Sequence, residues 1–241
     1  MLTRQFVSHV TLRRDTVTNF DVYPFSLPVV RALDTLELHP KMTFLVGENG
    51  SGKSTLMEAM AVAMGFNAES GSRNFNVSTH ASHSELHNHL RIAKGFRRPR
   101  TEFFLRAESF YNVASEIERL DVGAFYGSKP LHAQSHGESF MALLMHRFGG
   151  NGLYLLDEPE AALSPQRQLA VLARIHDLVM QESQFIIATH SPILMAYPDA
   201  WIYQCDGEGV RRTAYEETKH VQVTRDFLAN PQRMLDVLLD A

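Results

Sequence analysis

The sequence predicts an α/β fold: a mainly parallel sheet flanked by helices, with a small helical or loop subdomain inserted at about residues 67–135. Three observations carry this. Short apolar runs, each followed by residues at helical spacing, recur along the chain, which is the alternation of a parallel sheet. The 241 residues suit one domain with a sizeable core and are short for two. An apolar fraction of 44% with 21% charged residues is that of an ordinary globular chain, without repeats or low-complexity tracts.

The elements follow in order. Met42 to Val46 (MTFLV) reads as a strand entering a glycine loop, and Ser54 to Met64 as a helix that Gly65 can cap. Asn67 to Arg100 is rich in Ser, His, Asn and Arg and is expected on the surface. Phe103 to Arg106 (FFLR) is a strand, as is Leu153 to Leu156. Pro165 suits a first helical turn, and Gln166 to Met180 carries apolar residues at Leu169, Leu172, Ile175 and Val179. Phe185 to Ala188 is the next strand. Trp201 to Cys205 and Val210 to Tyr215 flank a glycine turn as a hairpin. Two short amphipathic helices meet near Asn230 and Pro231.

Residues 1–14 alternate polar and apolar side chains and lack the apolar core of a secretory signal, and no apolar run approaches the ~18 residues needed to span a bilayer. With Cys205 as the only cysteine there is no intrachain disulfide and no thiolate cluster for zinc, so a reducing, cytoplasmic location is expected. The formal net charge of −4 supplies no overall positive field to draw the molecule onto nucleic acid or anionic lipid.

The chemistry begins at GENGSGKST: Gly47, Glu48, Asn49, Gly50, Ser51, Gly52, Lys53, Ser54 and Thr55. Glycine, four residues, then Gly-Lys-Ser between a strand and a helix is a P-loop. Glycines let backbone N–H groups wrap a phosphate chain, and the helix start adds positive potential. Lys53 is placed for β and γ phosphates and Ser54 for magnesium, so ATP and Mg2+ are the expected ligands. Asp157 closes an apolar strand, where open α/β sheets bind their ligands, and is the second metal-holding candidate. Adjacent Glu158 is placed to act as general base on water.

Gln134 to Ser139, QSHGES, stands before a helix and shortly before Asp157, and it resembles the signature of ABC-type ATPases. Ser135, Gly137 and Glu138 map onto that pattern, while His136 replaces its first glycine. The resemblance implies that Ser135, His136, Gly137 and Glu138 act on ATP held by a second copy of the chain, in an ATP-dependent homodimer. His190, ending QFIIATH, resembles the family's switch histidine on the γ-phosphate, and Ala161 to Ser164 its interface-crossing D-loop. The family's glutamine between P-loop and signature has no clear counterpart. Ala107 and Glu108 follow FFLR, and Glu108 is carried over as a metal or water contact. Tyr23 or Phe25 is the candidate to stack on adenine.

Taken together, GENGSGKSTLMEA, FFLRAESF, QSHGESF and LLDEPEAALSP resemble small stand-alone bacterial ATPases, labelled AAA but ABC-like in motif order, related to RecF-like and overcoming-lysogenisation-defect-like ATPase heads. Only 80 positions separate Thr55 from Ser135, without heptads for a coiled coil, and about fifty residues follow His190, too few for an appended nuclease. The resemblance implies ATP hydrolysis driving a partner process such as DNA repair or phage defence. The alternative is the energising subunit of a membrane transporter, which DEPEAALSP disfavours.

Two surface features remain open. His80, His83, His87 and His89 suit a solvated loop or a zinc site. Arg91, Lys94, Arg97, Arg98 and Arg100 form a dense basic stretch, either solvated or in contact with nucleic acid.

Overall fold

Two sheets organise the computed structural model, which describes residues 5–68, 71, 84–107 and 135–239. The larger has six strands in the order β5-β6-β7-β3-β8-β9. These are β3 (Met42–Val46), β5 (Thr101–Arg106), β6 (Gly152–Asp157), β7 (Gln184–Thr189), β8 (Trp201–Asp206) and β9 (Gly209–Thr213). The pairs β5–β6, β6–β7, β7–β3 and β3–β8 are parallel. Only β9 runs antiparallel, as the far arm of the expected hairpin. The mainly parallel sheet that the sequence predicts is thus the centre of the fold.

The smaller sheet is antiparallel, in the order β2-β1-β4, with β1 (Val7–Leu12), β2 (Thr35–Glu37) and β4 (Leu90–Lys94). The alternation noted at the N-terminus is β1. The reading of Asn67 to Arg100 as surface is corrected here for the residues described. Leu86, in the 3-10 turn before β4, is fully buried, and Leu90, the first residue of β4, nearly so, while Arg91 and Lys94 point out. Residues 84–107, within the span expected as an insert, supply one strand to each sheet.

Seven α-helices are described. They are α1 (Pro28–Arg31), α2 (Lys53–Met64), α3 (His136–His146), α4 (Pro165–Met180), α5 (Pro192–Met195), α6 (Lys219–Ala229) and α7 (Pro231–Leu238). Gly65, at φ 99°, ends α2 as foreseen. In α4 the apolar spacing misleads at one position. Leu169 is exposed, whereas Val171, Ile175, Leu178 and Val179 face the core, along with Gln168. None of the described helices is long and apolar enough to cross a membrane.

Strand periodicity divides the core into two layers, since successive side chains leave opposite faces of a sheet. Phe44, Val46, Tyr154, Leu156, Phe185 and Ile187 pack with α3 and α4. Leu45, Leu153, Leu155, Ile186 and Ala188 pack with α2 and the antiparallel sheet. Cys205 lies in this second layer, where burial pushes its thiol up to about 12.

Gln184 joins the sheets. Its Oε1 accepts from the N–H groups of Phe6 (2.9 Å) and Val7 (3.0 Å), and its Nε2 donates to the carbonyls of Val7 (2.8 Å) and His39 (3.0 Å). The side chain is buried, so replacing it with an apolar one strands four backbone groups away from water. At ~1–3 kcal/mol for each group left unmade, less what relaxation recovers, Gln184→Leu should cost about 3 kcal/mol. A fall in the urea midpoint at unchanged slope is the expected result, and an unchanged midpoint would dismiss the clamp.

Candidate nucleotide site

Parallel register brings the site together. Val46 is opposite Thr189, Asp157 opposite Ala188 and Arg106 opposite Asp157, so four strands end level. One residue further on stand Gly47, Glu158 and His190, at the carboxyl edge where open α/β sheets place ligands.

Between β3 and α2 the chain makes the tight P-loop turn. Gly52, at φ 93°, precedes the first helical residue, and a Cβ there would lie 2.5 Å from Val29 Cγ1, so only glycine fits. Lys53 is buried, and its ammonium donates to the carbonyls of Gly47 (2.8 Å) and Glu48 (3.1 Å), curling over the loop. Burial pulls its pKa down, opposed first by Glu158. Ser51 Oγ is buried in this loop without a hydrogen-bond partner, and Ser54 Oγ donates to Asp157 Oδ1 at 3.1 Å. Tyr23, Leu27, Asn49, Gly50, Gly52, Lys53, Ser54, Thr55 and Glu158 line a cleft of about 410 Å³.

The two carboxylates differ. Asp157 is buried at the strand end, 3.6 Å from Arg106 Nε, and Arg106 Nη1 also meets Glu58 Oε2 at 2.6 Å. Glu158 takes a left-handed conformation, φ 52° and ψ 50°, and begins the 3-10 turn Pro159–Ala162. For a residue with a side chain this costs on the order of 1 kcal/mol, the kind of strain that collects at functional sites. The turn directs Glu158 to the cleft, where Oε1 lies 3.0 Å from His190 Nε2. Glu160 Oε1 accepts from the His190 backbone N–H at 2.5 Å. An oxygen-only pair, Ser54 with Asp157, beside a lysine and a partnerless loop hydroxyl is a donor set that fits a triphosphate with magnesium.

The segment that resembles the ABC signature is built at the start of α3. Ser135 is its N-cap, and Glu138 closes a capping box by accepting from the Ser135 N–H (2.9 Å) and hydroxyl (2.8 Å). Arg167, on α4, donates to Ser135 Oγ at 3.4 Å and pairs with Glu138 at 3.6 Å. A Cβ on Gly137 would come within 2.7 Å of the Ala162 carbonyl, so this helix start sits tight against the 3-10 turn, which shares Ala161 and Ala162 with the segment Ala161 to Ser164 that resembles a D-loop. Ser135, Gly137 and Glu138 are not among the residues lining the chain's own P-loop cleft.

Other expectations divide. Of the two aromatic candidates, Tyr23 is 63% exposed and lines the cleft, whereas Phe25 is buried against Phe20 and His89 and is core. Glu108, Gln134, His80, His83 and the side chain of His136 lie outside the described residues. His89 Nδ1 lies 2.7 Å from Thr16 Oγ1 and His87 Nδ1 2.9 Å from the Ser84 carbonyl. Among the described residues no group of three or more His, Cys, Asp or Glu could hold a metal ion. The basic stretch is partly neutralised: Arg97 pairs with Glu182 at 2.7 Å, while Lys94, Arg97, Arg98 and Phe96 line a separate cleft of about 610 Å³. Sequence reasoning missed Arg106 and His220. Arg106 was legible as the last residue of a strand parallel to β6. His220, on α6, meets His190 across 30 residues and had no local signal.

Fold and site define an α/β domain with a P-loop at the carboxyl edge of a mainly parallel sheet. The chain is similar to two AAA-type family models, one described as "AAA domain" over residues 17–120 and one as "AAA domain, putative AbiEii toxin, Type IV TA system" over residues 125–196. Solved structures similar to it include cbiO1 of the ABC transporter complex cbiONQ from Clostridium perfringens, with 18% identity, 87% of this chain and 92% of that chain covered, and a TM-score of 0.46. The SMC head domain from Thermotoga maritima matches with 15% identity, 87% and 98% coverage and a TM-score of 0.46. Neither likeness is strong enough to bear on activity. No curated protein matches.

The environment of Asp157 has a consequence for stability. Burial pushes its carboxyl up from 3.8 to about 6, against the opposing charge of Arg106 and the Ser54 hydrogen bond. The fold therefore favours the neutral acid. That stabilisation is complete below pH 3.8 and is lost as pH rises through about 6. It amounts to roughly 3 kcal/mol. Protein free of nucleotide and metal should lose stability across this window relative to Asp157→Asn, whose amide does not titrate. Parallel stability curves for the two proteins would contradict the assignment.

Proposed function

We propose that the chain binds ATP with magnesium and hydrolyses it to ADP and phosphate, as a homodimer that closes around the nucleotide. The observation that carries the reading is the convergence of Lys53, Ser54, Asp157, Glu158 and His190 at one edge of the sheet. Lys53 and the P-loop N–H groups hold the phosphates, with Ser54 and Asp157 as the residues that would hold the metal. Magnesium, when bound, would neutralise phosphate charge. Glu158 accepts a proton from the attacking water, and His190 donates to a γ-phosphate oxygen. Tyr23 stacks on the base from the cleft wall.

The dimer reading is supported by the separation of the two phosphate-binding helix starts. Ser135 and Glu138 at the start of α3 are exposed and lie outside the chain's own P-loop cleft, a position open to a partner's site. We further infer a cytoplasmic protein whose output is a partner process. The toxin–antitoxin description of the model over residues 125–196 favours defence over transport. Lys94, Arg98 and Phe96 leave nucleic acid open as that partner.

Lys53→Ala should abolish retention of labelled ATP, and unchanged affinity would refute the P-loop reading. Glu158→Gln should retain ATP while hydrolysis falls roughly 100-fold or more, since the water loses its base. Light scattering should show ATP shifting the Glu158→Gln protein from monomer to dimer. Adding Ser135→Arg, which places a bulky side chain at the partner's γ-phosphate, should abolish the shift. A monomer that hydrolyses ATP at full rate would overturn the dimer.

A further inference from the structure

His220 belongs to none of the motifs, yet its ring meets His190 at the edge of the site. It sits in the first turn of α6, which is held in place on both sides. Thr218 is buried and donates to the Tyr215 carbonyl at 2.8 Å, the Tyr215 hydroxyl donates to the Pro192 carbonyl at 3.1 Å, and Val221 enters the core. From there His220 Nε2 lies 3.2 Å from His190 Nδ1, with the rings 5.2 Å apart and inclined by 65°. The other nitrogen of His190 is the one that meets Glu158, at 3.0 Å.

Hydrogen counting orders this chain of contacts. The Glu158 carboxylate only accepts, so Nε2 of a neutral His190 must carry the hydrogen, and Nδ1 is left as a lone pair. The 3.2 Å contact then needs its hydrogen from His220 Nε2. A neutral His220 has no second hydrogen, which leaves its Nδ1 as a bare lone pair. That nitrogen is the one buried without a partner. Burial, the neighbouring His190 and Lys53 lower the pKa of His220, with Glu48 opposing them, in keeping with a neutral ring.

We propose that His220 is a positioning residue for ATP hydrolysis, donating its Nε2–H to His190 and so holding His190 in the tautomer whose Nε2–H faces Glu158 and the γ-phosphate. The catalytic part rests on the hydrolase reading above. A histidine oriented through its far nitrogen is a recurrent device, because the same ring in the other tautomer presents a lone pair to an anion and repels it. Here the orienting group is itself a histidine, delivered by a helix that follows the β8–β9 hairpin. The arrangement ties the hydrolytic edge of the sheet to the C-terminal helices.

The test is steady-state ATP hydrolysis by the full chain. His220→Leu, which keeps bulk and loses the donor, should lower kcat at least roughly tenfold. KM for ATP should stay within about twofold, since uniform binding is untouched. His220→Gln, whose amide N–H falls near the place of Nε2, should recover most of the loss. A Leu variant at wild-type kcat, or Leu and Gln variants equally impaired, would overturn the proposal, because a packing role does not distinguish a donor from a methyl group. Imidazole 15N spectra of the wild-type chain give a readout independent of activity and of how the variants fold. His190 protonated at Nε2 and bare at Nδ1 is the expected pattern, and the reverse overturns the proposal. A wild-type chain that shows this pattern but does not hydrolyse ATP would refute the hydrolase reading and the catalytic part of the proposal, while leaving the hydrogen bond itself established.

Discussion

The parallel register of β5, β6, β7 and β3 is the constraint on which the site depends. Parallel strands hydrogen-bond at even spacing, and a slip of one residue would turn every side chain to the other face. With both faces of the sheet covered, such a slip would exchange two packed layers, so the register is fixed by the core. The core in turn fixes the level at which each strand stops. Gly47, Glu158 and His190 meet because their strands end together, although they are far apart in the chain. The geometry of the candidate site is in this sense a by-product of packing Phe44, Tyr154, Ile187 and their neighbours.

Stability and chemistry pull against each other at that edge. Asp157 is buried where its charge is unfavourable, and Arg106 and Ser54 offset only part of the cost. Glu158 is held in a left-handed conformation that a side chain resists. Lys53 keeps its ammonium against backbone carbonyls with little water to solvate it. A polyphosphate with its cation would supply the missing counter-charges, so a site strained when alone is preorganised for its ligand. The rest of the sheet, apolar on both faces, supplies the rigidity that sustains the strain.

The capped start of α3 obeys a different logic. It is satisfied within the chain by the Ser135–Glu138 capping box and steadied by Arg167. Glu138 therefore has a plain structural use at the N-cap, and Gly137 is needed for close approach to the Ala162 carbonyl. The same residues that resemble a trans-acting motif also fit the third residue and the tight packing of an ordinary capped helix. Their resemblance could be read from the sequence because a capping serine and an acidic residue three positions on are a local pattern.

By itself the sequence determined what depends on near neighbours. Strand β3 was legible to the residue, α2 with its Gly65 cap, β6, β7 and the β8–β9 hairpin were legible within a residue or two, and the P-loop with Asp157–Glu158 was legible because glycine spacing and a strand-end carboxylate are local signals. Only the tertiary structure decided what depends on distant partners. It paired β1 with β4, so that the histidine- and arginine-rich stretch read as surface contributes buried leucines. It put Tyr23 in the cleft and Phe25 in the core, though they stand two residues apart. It set Arg106 against Asp157, turned Leu169 outward, and carried His220 to His190. In each case the side chain's own character is ambiguous, and its role is set by which group another element brings within 3 to 4 Å, information that no window along the chain contains.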